Sequence, residues 1–389
     1  MAKSPFRTFF MAGFECSTHR AQSGRRLDLV ASTGHERWAF DDYARLQSVG
    51  IGVAREGLRW HLLEPKPGAL DFASLAPIVR AARAHGVQLV FDLCHYGWPD
   101  WLDIWQPDFV ACFAHLAREF VRWHRTQSDE PLWVTPINEI SFFSWAAGHQ
   151  GLFYPFALGR GGELKQQLVR AAIAAMDAVW TEDANARILH TDPVINVVAH
   201  PARPQDRERA EAYRLAQFEA MDMLAGRVRP ELGGAPRYVD VVGLNYYHDN
   251  QWYYGLGRKI PRDDAAYRPL RELLHEWAGR YARPMLLAET GIEGSLRPAW
   301  LRWVSAEIAW ARAEGLEIHG ICLYPIVNHP GWTNDRHCHN GLWDYPDASG
   351  GRPIHAPLAK ELRRQVRLQE GRAGWDATGR TVPSPEGRR

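Results

Sequence analysis

Leu132-Trp-Val-Thr-Pro-Ile-Asn-Glu-Ile140 and its counterpart Pro284-Met-Leu-Leu-Ala-Glu-Thr-Gly291 are short apolar runs that each close on an acid. A run of this length without polar alternation reads as a strand buried on both faces, as in a parallel sheet. The closing acids, Glu139 and Glu289, then fall where a parallel barrel opens to solvent, the face on which such barrels hold their chemistry. Six more runs of the same kind occur at residues 9–15, 53–58, 88–94, 186–190, 239–246 and 318–324. Amphipathic stretches lie between them at 73–85, 109–126, 164–183, 207–225, 270–280 and 299–314. In the third, Leu164, Leu168, Ala171, Ala175, Met176 and Val179 share one helical face. Gly86 and Gly315 follow two of these helices, at the position where a left-handed residue ends the last turn. No glycine-rich phosphate loop follows the first strand. The eight strand–helix units therefore predict an α/β fold of the (β/α)8 TIM-barrel type, not a doubly wound sheet.

At 389 residues the chain has room for two average domains, yet barrels of this type commonly exceed about 250 residues as one unit. No internal repeat or linker divides it. Residues 1–370 are read as one barrel domain, and 371–389, polar with Pro and Gly, as a disordered tail. Segments 200–209 and 249–267 follow strand ends and are expected at the barrel mouth. The 46 basic and 45 acidic residues leave a formal charge of +1, which excludes the electrostatic footprint of a nucleic-acid or membrane-surface protein. A small neutral partner is implied. An apolar share of 46% supplies a large core, and the 17 Trp suit both core packing and the apolar faces of sugar rings. The five cysteines, Cys16, Cys94, Cys112, Cys322 and Cys338, are unclustered and point to a reduced, cytoplasmic setting. The polar start, with Pro5, lacks the apolar stretch of a signal peptide, and no segment is apolar for long enough to span a membrane. Oligomeric state leaves no mark in the sequence.

Two carboxyl groups facing each other across a sugar can divide the breaking of a glycosidic bond, one donating a proton and the other attacking carbon or activating water. Asn138 beside Glu139 sharpens this pattern, because an amide can hold a sugar hydroxyl while the acid faces the leaving oxygen. Consecutive strand residues face opposite sides, so the pair requires a bend or bulge at the strand end. An ordinary ion pair on the barrel rim is the alternative.

The segment Thr135-Pro-Ile-Asn-Glu-Ile140 resembles the Thr-Phe-Asn-Glu-Pro motif of family 1 glycoside hydrolases, the β-glucosidase type of retaining barrel glycosidases. Ala288-Glu-Thr-Gly291 resembles that family's Thr-Glu-Asn-Gly nucleophile motif. Ala54-Arg-Glu-Gly-Leu-Arg-Trp60 is similar to Tyr-Arg-Phe-Ser-Ile-Ser-Trp, which implies that Arg55 lies near the nucleophile. Cys94-His-Tyr-Gly-Trp-Pro99 resembles His-His-Trp-Asp-Leu-Pro, which implies that His95 contacts the glycone. Gly243-Leu-Asn-Tyr-Tyr247 is similar to Gly-Ile-Asn-Tyr-Tyr, which implies that Tyr247 hydrogen-bonds the nucleophile, with Asn245 beside it. The resemblance implies a retaining β-glycosidase without cofactor or metal. Glu139 is then the acid/base, Glu289 the nucleophile, and a small carbohydrate the substrate. Retention corresponds to carboxyls about 5–5.5 Å apart, inversion to about 6.5–9.5 Å.

The departures lie at the glycone side. The family's eighth strand ends in Asn-Phe-Glu-Trp, whereas this chain reads Tyr324-Pro-Ile-Val-Asn-His-Pro-Gly-Trp332, with Gly331 in place of the sugar-binding glutamate. On the first strand, Gly13-Phe-Glu-Cys-Ser-Thr-His-Arg20 places Arg20 where the family has a glutamine. A hydroxyl-reading site that loses two such groups changes its specificity. Glu15, His19, Arg20 and Asn328 are the candidates for a remodelled glycone subsite, with Tyr324 and Trp332 as further contacts. Trp60, Trp98 and Trp101 are assigned to packing, while Trp332 and Trp343 fall on the mouth side. His329, His337, Cys338 and His339 lack the separated pairs of a structural zinc site and are read as a polar rim loop. Asp41-Asp42 and the Arg-rich segment 203–209 are read as solvated helix faces. A barrel that binds carbohydrate without turnover is the rival function.

Overall fold

A computed structural model describes residues 4–373. Eight parallel strands close into a barrel in chain order: β1 (Phe10–Gly13), β2 (Val53–Gly57), β3 (Gln88–Cys94), β4 (Trp133–Ile137), β5 (Arg187–Pro193), β6 (Val241–Asn245), β7 (Met285–Thr290) and β8 (Ile318–Leu323). All eight sequence-derived runs are present, with ends displaced by three residues or fewer. The helices α1 (His35–Ser48), α2 (Ala76–Ala84), α3 (Pro107–Gln127) and α4 (Gly161–Glu182) follow the first four strands. Two short helices, α5 (Arg207–Leu215) and α6 (Glu219–Leu224), follow β5; α7 (Leu270–Tyr281), α8 (Arg297–Ala313) and α9 (Ala356–Ala373) complete the ring. The sequence-derived tail lies outside the described residues beyond Ala373.

Each strand is buried on both faces, which explains its unbroken apolar run. Met11, Val53, Val90, Trp133, Leu189, Val241, Leu286 and Cys322, one from each strand, fill the barrel interior. The opposite faces pack against the helices, where Leu164, Leu168, Ala171, Ala175, Met176 and Val179 of α4 are all buried. Gly86 and Gly315 have φ of 61° and 99°, the left-handed geometry expected of them.

Three local readings change. The stretch 207–225 is not one helix: a 3-10 turn, Ala216–Phe218, breaks it, and the buried Gln217 there donates to the Ile195 carbonyl and accepts from its N–H. Helix α1 has no counterpart among the sequence-derived stretches, because its apolar positions are interspersed with charged ones. Asp42 is the corresponding error: it is buried and not solvated, whereas Asp41 is exposed.

Asp42 belongs to a buried network that ties α1 to β2 and to the segment before α9. His35 Nδ1 lies 2.8 Å from Asp42 Oδ2, and its Nε2 lies 3.0 Å from Glu56 Oε1. Tyr43 donates to the same Glu56 oxygen at 2.7 Å, and Arg352 donates to both Asp42 oxygens at 2.7 and 3.0 Å. Burial disfavours a charged imidazole, but Glu56 and Asp42 outweigh it and lift His35 from 6.5 to about 9. A folded value above the unfolded one gives stability that is complete below about pH 6.5 and lost as pH rises through about 9. Chemical denaturation should show wild type about 3 kcal/mol more stable than His35→Gln near pH 6, the advantage shrinking as pH rises above about 6.5 and nearly gone by about pH 9. An advantage independent of pH would mean that the ring's stacking on Phe14 at 3.5 Å holds it, and not its charge.

Candidate active site

Inward alternation on β2 carries from Val53 to Arg55, which places a guanidinium inside the barrel at its C-terminal end. That cation is almost wholly buried, so its N–H groups need partners in the protein. Nη2 donates to Asp92 Oδ2 at 2.6 Å and to Asn138 Oδ1 at 3.2 Å; Nη1 donates to the Ala288 carbonyl at 2.8 Å and to Glu289 Oε1 at 3.0 Å. The Tyr324 ring covers it at 5.2 Å. Gly13 makes room for that ring, since a Cβ there would stand 2.0 Å from Tyr324 Cδ2.

Strict alternation after Leu286 and Ala288 would turn Glu289 away from the axis. The register of β7 slips between Leu287 and Glu289 against β6, and between Leu287 and Thr290 against β8, which brings the carboxylate inward. Tyr247 donates to its Oε2 at 2.8 Å. Glu139 reaches the same space differently. Its backbone is left-handed, with φ 48° and ψ 61°, and its N–H donates to the Thr191 carbonyl at 2.9 Å. This is the bend that adjacent Asn138 and Glu139 require. Asn245 Nδ2 donates to Glu139 Oε1 at 2.9 Å, and the Tyr96 hydroxyl donates to Oε2 while accepting from Asn138 Nδ2 at 3.0 Å. Tyr96 is itself left-handed, with φ 67°, a conformation costly for a bulky residue and held here by the hydroxyl's two partners. His95 Nδ1 faces Asp92 at 3.0 Å, its Nε2 lies 3.2 Å from Asn138 Nδ2, and its ring stacks parallel to Tyr324.

Burial raises both carboxyls. It lifts Glu289 to about 7 against the pull of Arg55, with the Glu139 charge adding to the rise. Glu139 is raised by burial against the donors Tyr96 and Asn245, and Asp192 adds to the rise. Asp192 is itself pushed up to about 7 by burial, although Ser141 donates to it from N–H and hydroxyl. Two carboxyls that feel each other titrate as a pair. Only Glu289 has a guanidinium in contact, an asymmetry that favours its ionised form over that of Glu139. The phenol of Tyr96, donor and acceptor alike, can meet either form of Glu139.

A cavity of about 1100 Å³ opens over the pair. Glu15, His95, Glu139, Tyr247, Glu289, Tyr324 and Trp332 line it, while Arg55, Asn138 and Asn245 are buried next to these side chains, Arg55 bonded to Glu289, Asn245 to Glu139 and Asn138 to His95 and Tyr96. Arg20 stands apart: it pairs with Asp100, which also holds Arg26, and it contributes nothing to the lining. Asn328 is spent on the Gly341 N–H at 2.8 Å, and His19 is buried between Phe153 and Trp332, burial lowering its pKa to about 3. In the rim loop, the donor atoms of His337, His339 and Asp344 come within 4.8 Å of one another, and none of the three lines the cavity. Sequence reasoning missed Asp92, Tyr96 and Asp192. Tyr96 adjoins His95 in the motif already singled out, and Asp92 follows Val90 by two on the inward face, so period-two counting along β3 would have found it. The segment 249–267 does reach the mouth, through Trp252 and Tyr254.

No protein-family model and no curated protein sequence matches this chain. Its fold is similar to that of solved β-glycosidases. The β-glycosidase from Pyrococcus horikoshii superposes with a TM-score of 0.76 at 15% identity, over 97% of this chain and 99% of that one. A family 1 β-glucosidase from Thermotoga maritima gives 0.73 at 13% identity, over 95% and 98%. The AHE enzyme from Alicyclobacillus herbarius gives 0.77 at 16% identity, over 95% and 99%. At such identities the likeness establishes the fold.

Removing the central cation tests how far the site depends on it. Arg55→Met strands Asp92 and Glu289 as buried unpaired carboxylates, so denaturation at neutral pH should show a loss of about 3–5 kcal/mol. Adding Asp92→Asn to that variant should recover part of the loss. Equal stability of wild type and Arg55→Met would refute the cation's role.

Proposed function

We propose that this protein is a retaining β-glycosidase with a non-standard glycone preference. Glu289 attacks the anomeric carbon as Glu139 gives its proton to the glycosidic oxygen; the C–O bond to the leaving group breaks and a glycosyl ester forms on Glu289. Water then attacks the same carbon, Glu139 takes its proton, and Glu289 leaves as a carboxylate. Both acids end in their starting states.

One observation carries the reading. The two carboxyls stand in one cavity with unlike surroundings, guanidinium and phenol on Glu289, phenol and amide on Glu139. Environments that separate the protonation of two like groups mark an acid and a nucleophile. The solved proteins of the same fold carry the names β-glycosidase and β-glucosidase, in keeping with this. Tyr247 and Arg55 orient the nucleophile, and Asn138 and His95 are positioned to meet sugar hydroxyls.

Intact mass after incubation with 2-deoxy-2-fluoro glycosyl fluorides tests the mechanism: one sugar added, mapping to Glu289, is expected. A binding-only barrel gives no adduct and keeps its affinity in Glu289→Gln, whereas an enzyme loses about a thousandfold or more in activity. The pH profile gives a second test. Glu139, raised by burial, sets the basic limb of kcat/KM, so Glu139→Gln, assayed with an activated aryl glycoside that needs no proton, should lose that limb and keep the acid limb set by Glu289 near pH 7. A basic limb that persists would place the acid/base elsewhere.

A further inference from the structure

Inward alternation on β1 runs Met11, Gly13, Glu15, so Glu15 enters the cavity from the strand end on which the resemblance breaks down. Its side chain is more than nine-tenths buried, with 7% of the residue exposed. One oxygen, Oε1, is fixed by the N–H of Ser17 at 3.0 Å and by the Ser17 hydroxyl. The other, Oε2, has no hydrogen-bond partner among the described residues. Because Glu15 lines the same cavity as Glu139 and Glu289, that oxygen faces the space a ligand would take.

No cation among the described residues pairs with this carboxylate. The nearby cationic groups are committed: Arg55 to Asp92 and Glu289, the imidazole of His95 to Asp92 through Nδ1, and Arg20 and Arg26 to Asp100. A carboxylate taken out of water needs both hydrogen-bond donors and an opposite charge. The Ser17 hydrogen bonds meet half of the first need and none of the second. A sugar hydroxyl would complete the hydrogen bonding and leave the charge uncompensated. A protonated amine completes both.

We propose that Glu15 reads the glycone and that it selects a sugar bearing a protonated amine. This rests on the glycosidase reading of the cavity and gives its substrate class. Glu15 is pre-set for the task, since Ser17 fixes its carboxylate before ligand arrives and little side-chain freedom remains to be lost. The cavity around it suits a cation. Glu139 and Glu289 line the same cavity, so a cation that enters it meets three carboxyl groups.

The test compares kcat/KM for p-nitrophenyl β-D-glucoside with its 2-amino-2-deoxy and 6-amino-6-deoxy counterparts. Wild type should prefer one amino substrate over the glucoside by about tenfold or more. In Glu15→Gln that preference should fall about 30-fold or more, the scale expected when one partner of a buried charge pair is removed. Ser17→Ala, which frees the carboxylate but keeps its charge, should lower the preference less, and it serves if Glu15→Gln does not fold. A wild type that prefers the glucoside overturns the proposal, as does a Glu15→Gln variant in which all three substrates fall alike, the signature of hydroxyl reading. If no glycoside is turned over, the hydrolase reading fails separately. Calorimetry with glucosamine, 6-amino-6-deoxyglucose and glucose then decides: amine binding that Glu15→Gln abolishes supports the assignment, and equal or absent binding overturns it.

Discussion

A single buried guanidinium sets the terms for the rest of the site. Arg55 joins β2 to Asp92 on β3, Asn138 at the end of β4 and Glu289 on β7, and lies under the ring that follows β8. A buried charge is tolerated only when its partners are complete, and a planar fork of donors can complete several at once. Each partner is thereby placed. Asn138 holds its amide toward His95 and Tyr96 because its carbonyl oxygen is occupied by Arg55 and Thr191. Glu289 can be an anion inside the barrel because the cation is already there. An apolar residue at position 55 would pack, but it would leave two carboxylates and an amide without their common partner.

The opposite end of the barrel makes such a network affordable. Below the polar layer the interior is filled by side chains from every strand, with Trp133 and Phe6 in contact at 4.4 Å. A close-packed floor does not yield to small displacements, so strands that differ in register still present their ends at fixed heights. Hydrogen bonds among Arg55, Asp92, His95 and Asn138 are then made without reorganisation, the condition under which polar groups act strongly in a site shielded from water.

What the sequence disclosed follows from this division. The floor and the helix-facing surfaces are apolar at fixed periods, and periods are visible in a single chain; hence all eight strands and the placement of Glu139 and Glu289 at two strand ends were legible, while Arg55 was placed near Glu289 only through the resemblance. The orientation of those ends was not. Glu289 faces inward only because β7 slips in register, and Glu139 and Tyr96 reach the cavity through left-handed backbones at residues that carry no glycine signal. Side-chain commitment was equally hidden. Arg20 holds the position where the resemblance places a sugar-binding amide, yet Asp100, eighty residues away, claims it. Asp42 looked solvated because α1 is rich in charge, and Arg352, which pairs with it beside His35 of the same helix, lies 310 residues away.

Charge balance ties these observations together. With Asp92 held ionised by Arg55 and by His95 against the cost of burial, the guanidinium is already shared with a second carboxylate when Glu289 loses its proton. A site in that state favours whatever brings positive charge to it. The transition state of glycoside cleavage does so, since the anomeric carbon becomes oxocarbenium-like as the bond to the leaving group breaks. The excess charge sits on Glu289, where that carbon must come, and the fixed donors around it need not move as the charge develops. Glu15 adds a second carboxylate to the same cavity, anchored by Ser17 and in no ion pair among the described residues. A neutral glycone compensates the first only in the transition state and the second not at all, whereas a glycone with its own positive charge compensates the second on binding and leaves the first to be met by catalysis. On the proposed reading the two anions act at different stages, Glu15 in recognition and Glu289 in bond breaking, because Arg55 is paired with one of them and not with the other.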